Sequence, residues 1–154
     1  GRRGGPPTRG EPLVGDVPVG YQLKRVRLLV RHQFDATLAA LGLTAASYEV
    51  LYLLERHGQA SATELSKIAG VTVQTMHRQI RQVVKLGMAS PLDEPGRAVR
   101  MELTPLGRER LEAANPGVMA IESDMLNGLS QAEVGELSRP LGRCEANLQD
   151  RGVD

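Results

Sequence analysis

Apolar positions along the chain recur at two periods, and the switch between them is the first clue to the fold. From Tyr21 onward, Leu23, Val26, Val30, Phe34, Leu38 and Leu41 are separated by steps of three and four. That spacing gathers them on one helix face, with Lys24, Arg27, Arg31 and Asp35 on the wetter side. Leu28 and Leu29 widen the apolar face, as in a helix buried against more than one neighbour. Gly42 ends it. Thr44 is the expected N-cap of a second helix, which carries Tyr48, Leu51, Tyr52 and Leu54 and stops before Gly58. Ser61-Ala-Thr-Glu64 reads as a capping box. The short helix behind it should bury Leu65, Ile68 and Ala69 and break at Gly70. Thr72 then caps a helix with Met76, Ile80 and Val83 on one face, ending near Gly87.

The period next changes to two. Val99, Met101 and Leu103 alternate with Ala98, Arg100 and Glu102, the pattern of a half-buried strand. Residues 88–92 can pair with it across the turn Asp93-Glu-Pro-Gly96, which predicts one two-stranded hairpin. Thr104-Pro105 opens a long helix, with proline at the position where its missing amide costs nothing. It carries Leu106, Leu111, Met119, Ile121, Met125 and Leu126, and Pro116-Gly117 predicts a kink or a split. Ser130-Gln-Ala-Glu133 is a second capping box. It starts a last helix with Val134, Leu137, Leu141 and Leu148, with a bend expected at Pro140. Residues 1–20, rich in Gly and Pro, read as a flexible arm, and residues 150–154 as a tail. The fold expected is mainly α with a small β-hairpin.

Composition adds limits. The 154 residues suit one domain, and 41% hydrophobic with 24% charged residues suits a soluble globular one. A net charge of +1 argues at first against a polybasic binder. Segment by segment it is a cancellation: +5 over residues 1–31, −2 over 32–60, +2 over 61–103 and −4 over 104–154. The basic excess falls on the arm, the first helix and the central segment. Cys144 is the sole cysteine, so no intramolecular disulfide can form, and a reducing cytoplasm is the expected location. The chain has no apolar run near the roughly 18 residues of a membrane span, so no membrane role is expected. No apolar segment follows the N-terminal arginines, which argues against a secretory leader.

The element order has a functional meaning. Residues 61–103 read as a helix-turn-helix followed by a wing, within a winged unit spanning about 44–103. The second helix of such a unit can enter a DNA major groove about 12 Å wide. Its exposed side should carry Gln74, Thr75, His77, Arg78 and Arg81, donors and acceptors suited to base edges and phosphates. Arg97 sits at the wing tip, where an arginine can enter a narrow minor groove, and Arg100 lies nearby. Lys67 and Lys85 could meet phosphates. Any surface helix carries Arg and Gln, and winged helices also dock proteins. A DNA function is favoured because independent signals agree on one architecture.

The stretch from Ser61 to Thr72, the helix after it, and Gly96-Arg-Ala-Val-Arg-Met-Glu-Leu-Thr-Pro-Leu-Gly107 resemble the MarR family of bacterial transcription regulators. The resemblance spans residues 21–149. It implies a ligand-responsive repressor acting as a homodimer on a pseudo-palindromic operator of double-stranded DNA. Helices 21–41 and 104–149 would interdigitate as dimerisation helices. It also implies a small-molecule effector pocket beside the first two helices, for which Arg25, His32, Tyr48 and Tyr52 are candidates. The family often carries an acidic residue two positions before the wing arginine. Here that position is Pro95, which leaves Asp93 and Glu94 to restrain Arg97.

Other chemistry finds few parts. The three histidines, His32, His57 and His77, do not approach metal-ligand spacing, so no metal and no cofactor are expected. No nucleophile elbow, phosphate loop or dinucleotide fingerprint is present, so no enzymatic activity is expected. Two alternatives stand beside the regulator. One is a protein-docking module without DNA function, and the other a redox regulator acting through Cys144.

Overall fold

Hydroxyl side chains stand at the start of most helices and fix where they begin. The computed structural model describes residues 17–151. Helix α1 runs Val19–Leu38 and ends in a short 3-10 turn, Ala39–Leu41. Helix α2 is Ala45–His57, followed by strand β1 (Ala60–Ser61), α3 (Ala62–Ala69) and α4 (Val73–Lys85). Strands β2 (Ala89–Leu92) and β3 (Arg100–Leu103) precede α5 (Pro105–Met125) and α6 (Gln131–Gln149). The Thr44 and Ser47 hydroxyls each accept the other's backbone N–H at 3.2 and 2.8 Å. Ser61 with Glu64 and Ser130 with Glu133 close two further capping boxes, as the sequence predicts. Thr72 Oγ1 accepts from the Thr75 N–H at 3.1 Å. Each such cap stabilises its helix by about 1 kcal/mol. Gly70, at φ 68°, ends α3 and lets the chain turn directly into α4.

The chain divides into two units, Gly1–Val118 and Met119–Asp154. In the first, Leu38, Val50, Leu51, Leu54, Leu65, Met76 and Val83 are fully buried. Met88, Met101, Leu111 and Ala114 join them in one apolar cluster. Three residues of α4, Met76, Ile80 and Val83, are buried together, which fixes the opposite side of that helix toward solvent. In the second unit, α6 buries none of its residues, and Leu137, Cys144 and Leu148 are exposed. Among the described residues no single helix is long and apolar enough to cross a membrane.

Several expectations are corrected. The sheet has three strands in the order β1-β3-β2, not two. Ser61 must be extended to cap α3 (φ −82°, ψ 161°), and this lets it pair with Arg100 while Ala60 pairs with Met101. Two residues are too few for any periodicity to show. The strands are also shorter than predicted: Val99 lies in the loop and is 61% exposed. Ile68 is 50% exposed, because α3 turns Ala62, Leu65 and Ser66 inward instead. Helix α5 continues through Pro116 rather than splitting. A proline removes one amide donor, and the bonds of the turns on either side remain. Among the described residues the broad apolar face of α1 is left uncovered: Tyr21, Leu23, Val26, Leu28 and Leu29 are exposed, and Leu38 alone of this helix is buried. The arm to Asp16 and the end of the tail lie outside the described residues.

Candidate nucleic-acid interface

Helix α4 presents a polar ridge because its apolar side is fully used. Gln74, Arg78, Arg81 and Lys85 recur at helical spacing and are exposed, with exposed His77 beside them. Thr75 is half-buried, and its hydroxyl accepts from the Thr72 hydroxyl at 3.0 Å. Lys67 is exposed on α3. Among the described residues, Lys67, Arg78, Arg81 and Lys85 make no ion pair. Their charge is therefore available to an outside anion.

The wing divides its two arginines. Arg97 is 77% exposed, and its Nη1 lies 3.8 Å from Glu94 Oε2. The carboxylate missing at Pro95 is thus supplied one residue earlier, across the turn closed by the Arg97 N–H donating to the Glu94 carbonyl. Were this tip to enter a DNA minor groove, Arg97→Ala would weaken binding chiefly at A·T-rich flanks of a site, where the groove is narrow and its potential enhanced. Affinities for sites with A·T- and G·C-rich flanks check this, and equal affinities in wild type and variant would remove the wing from the interface. Arg100 is held differently: its Nη1 donates to Glu64 Oε1 at 3.1 Å and its Nη2 to the Gln59 carbonyl.

Glu64 is held below the usual carboxylate range. It accepts from the Ser61 backbone N–H, and the Arg100 hydrogen bond adds to the effect. A carboxylate depressed by folding contributes stability that is complete above its unfolded pKa and lost as the pH falls through its folded value. The stability gap between wild type and Glu64→Gln should therefore be widest near neutral pH and shrink through the acid range. Melting curves from about pH 7 to about pH 3 test this, and a gap constant with pH would refute it.

Beside α4 lies an open cavity of about 640 Å³ between α1, α2 and α4. Tyr48 and Tyr52 line it, stacked with ring centroids 6.2 Å apart, and Phe34 meets Tyr48 edge-on. Tyr48 donates to Asn115 Oδ1 at 2.9 Å, and its burial raises its pKa. Arg25 and His32 are not among the lining residues. Arg27, Arg31, Arg78, Glu49 and Gln79 are. Burial pushes the Glu49 carboxyl up, with Arg27 and Arg31 acting against it. Gln79 Oε1 is buried and has no hydrogen-bond partner among the described residues. In the helical pattern Arg27 and Arg31 fall on the wetter side of α1, so the sequence carries no signal that sets them in this wall. Among the described residues, no group of three or more His, Cys, Asp or Glu is placed to hold a metal ion.

Comparison with known proteins agrees with this fold. The pattern of the MarR family matches residues 41–98. The chain is 33% identical over 131 residues to the HTH-type transcriptional repressor Rv2887 of Mycobacterium tuberculosis, covering 84% of this chain and 94% of that one. Solved structures of Rv2887 with DNA (TM-score 0.65) and with salicylic acid (0.66) are each 30% identical. They cover 84% and 86% of this chain and 98% and 99% of theirs. Bordetella bronchiseptica BpsR, whose DNA binding is regulated by 6-hydroxynicotinic acid, aligns with a TM-score of 0.76 at 26% identity. That alignment covers 82% of this chain and 98% of BpsR.

Proposed function

Because the chain belongs to the MarR family of transcription regulators, we propose that it is a ligand-responsive repressor, binding operator DNA as a homodimer in the cytoplasm. The observation that carries this reading is the exposed polar ridge of α4 in a winged helix-turn-helix, whose cations make no ion pair among the described residues. Gln74, His77, Arg78 and Arg81 meet base edges and phosphates in the major groove, Thr75 lies beside the cap of that helix, and Lys67 and Lys85 meet phosphates. Arg97 enters the flanking minor groove. Two copies join through the apolar faces that α1 and α6 leave exposed, among them Leu28, Leu29, Leu137 and Leu148. Two recognition helices then read half-sites about 34–36 Å apart.

The cavity takes the effector. Its stacked tyrosines and aliphatic wall suit a flat apolar body, and Arg27, Arg31 and Arg78 suit a carboxylate. The orphan Gln79 oxygen calls for a hydrogen-bond donor such as a ring hydroxyl. An aromatic hydroxy acid meets all three needs, as salicylic acid and 6-hydroxynicotinic acid do. Arg78 belongs to both the ridge and the cavity wall, so a bound carboxylate competes with DNA for it. The ligand shifts the protein off DNA by its difference in affinity between the two arrangements.

Titration against DNA from upstream of the protein's own gene, at several salt concentrations, tests the function. A steep negative slope of log K against log salt is expected for the regulator, with weaker binding when salicylate is added. Binding that is absent, or insensitive to salt, would instead favour a protein-docking module.

A further inference from the structure

We infer that Arg100 is a positioning residue that sets the wing against the helix-turn-helix through Glu64, rather than a contact to DNA. The inference rests on the DNA-binding reading above. Arg100 is the residue at which both strand pairings of β3 end, Ser61↔Arg100 on one side and Leu92↔Arg100 on the other. Everything from Asp93 to Val99 lies beyond this last rung, so the direction of the wing is decided at Arg100.

Both terminal nitrogens of its guanidinium are engaged in that task. One nitrogen donates to Glu64 Oε1 and the other to the Gln59 carbonyl, and the side chain is 33% exposed against 77% for Arg97. The Glu64 carboxylate is itself fixed. Its Oε2 accepts from the Ser61 N–H at 3.0 Å, so the group that caps α3 is the group that grips the wing. Gln59 adds a reach to Glu102, on the same strand as Arg100, at 3.5 Å. Helix α3 packs on α4. The chain of contacts from wing to α3 to α4 therefore fixes how Arg97 lies relative to Arg78. A guanidinium can donate in two directions at once from a rigid plane, and an ammonium cannot hold both partners in that geometry.

Arg100→Ala, Arg100→Lys and Glu64→Gln test this, with Arg97→Ala for comparison. Glu64→Gln keeps an oxygen for the Ser61 N–H, so the cap's hydrogen bond remains while its charge is lost. Expected are losses of operator affinity of roughly tenfold in Arg100→Ala and in Glu64→Gln, about what one charge-assisted hydrogen bond is worth. The double variant should lose no more than either single one, because both break one device. Arg100→Lys should fall in between. The salt slope should stay at its wild-type value in the three single variants of Arg100 and Glu64 and in the double variant, since no phosphate contact is removed, whereas Arg97→Ala should lower it. A slope reduced by about one in Arg100→Ala, with Glu64→Gln binding normally, would overturn the inference and make Arg100 a phosphate contact. Hydrogen exchange of the wing amides in the DNA-free proteins separates this from failure of the DNA reading. Faster exchange at residues 93–103 in both single variants supports the grip even if no DNA is bound, and unchanged exchange overturns it.

Discussion

Gly107→Ala is expected to destabilise the protein by about 3 kcal/mol or more, lowering the melting midpoint by roughly 10 °C. Gly107 is the third residue of α5, where the helix starts against the end of β2's lead-in. A Cβ there would stand 1.9 Å from the Met88 carbonyl oxygen and 2.9 Å from its carbon. The obstacle is backbone, so no side-chain rotation can relieve it. The same carbonyl accepts from the Thr104 N–H at 3.1 Å, while the Thr104 hydroxyl donates to the Gly87 carbonyl at 2.6 Å and accepts from Gly107. Pushing Met88 away disturbs all three bonds at the joint between the wing and α5. Thermal melts of the variant check this, and a midpoint within about 2 °C of wild type would show that the joint yields cheaply.

Arg78→Ala should cost roughly 1–3 kcal/mol of specific DNA affinity, about 5- to 150-fold, if its guanidinium reaches a guanine edge. Arg78 lies in the middle of the exposed ridge, one turn after Gln74 and just before Arg81. It has no ion pair among the described residues to give up first. Binding curves on operator and random DNA at matched salt distinguish its roles. A loss confined to the operator makes it a base reader. An equal loss on both makes it a phosphate contact, and no loss on either removes it from the interface.

What the sequence made legible was local. The caps at Thr44, Ser61, Thr72 and Ser130 could be read because the partners lie three positions apart, and helical period placed Met76, Ile80 and Val83 in the core. Tertiary choices were not legible. Ile68 fits an apolar pattern but faces solvent, because a helix of eight residues can bury just one narrow side. Arg100 looked like Arg97's companion, and only its partners Glu64 and Gln59, far away in sequence, separate the two. The tyrosines of the cavity stood out as aromatics in a chain poor in them. Arg27 and Arg31 did not, because the wall they belong to is shared with α2 and α4.

The small strand β1 also constrains the order in which the protein can fold. Gln59 and Arg100 are 41 positions apart, and β1 meets β3 across nearly the same span. Closing so long a loop costs chain entropy before any rung rewards it. The helices α3 and α4 lie inside that loop, and they are sequence neighbours whose mutual contacts form fast. Once they pack, the effective loop is short and β3 has an edge to find. The rungs between β1 and β3 are therefore expected to form after α3 and α4 have packed, whereas the local β2–β3 hairpin need not wait for them.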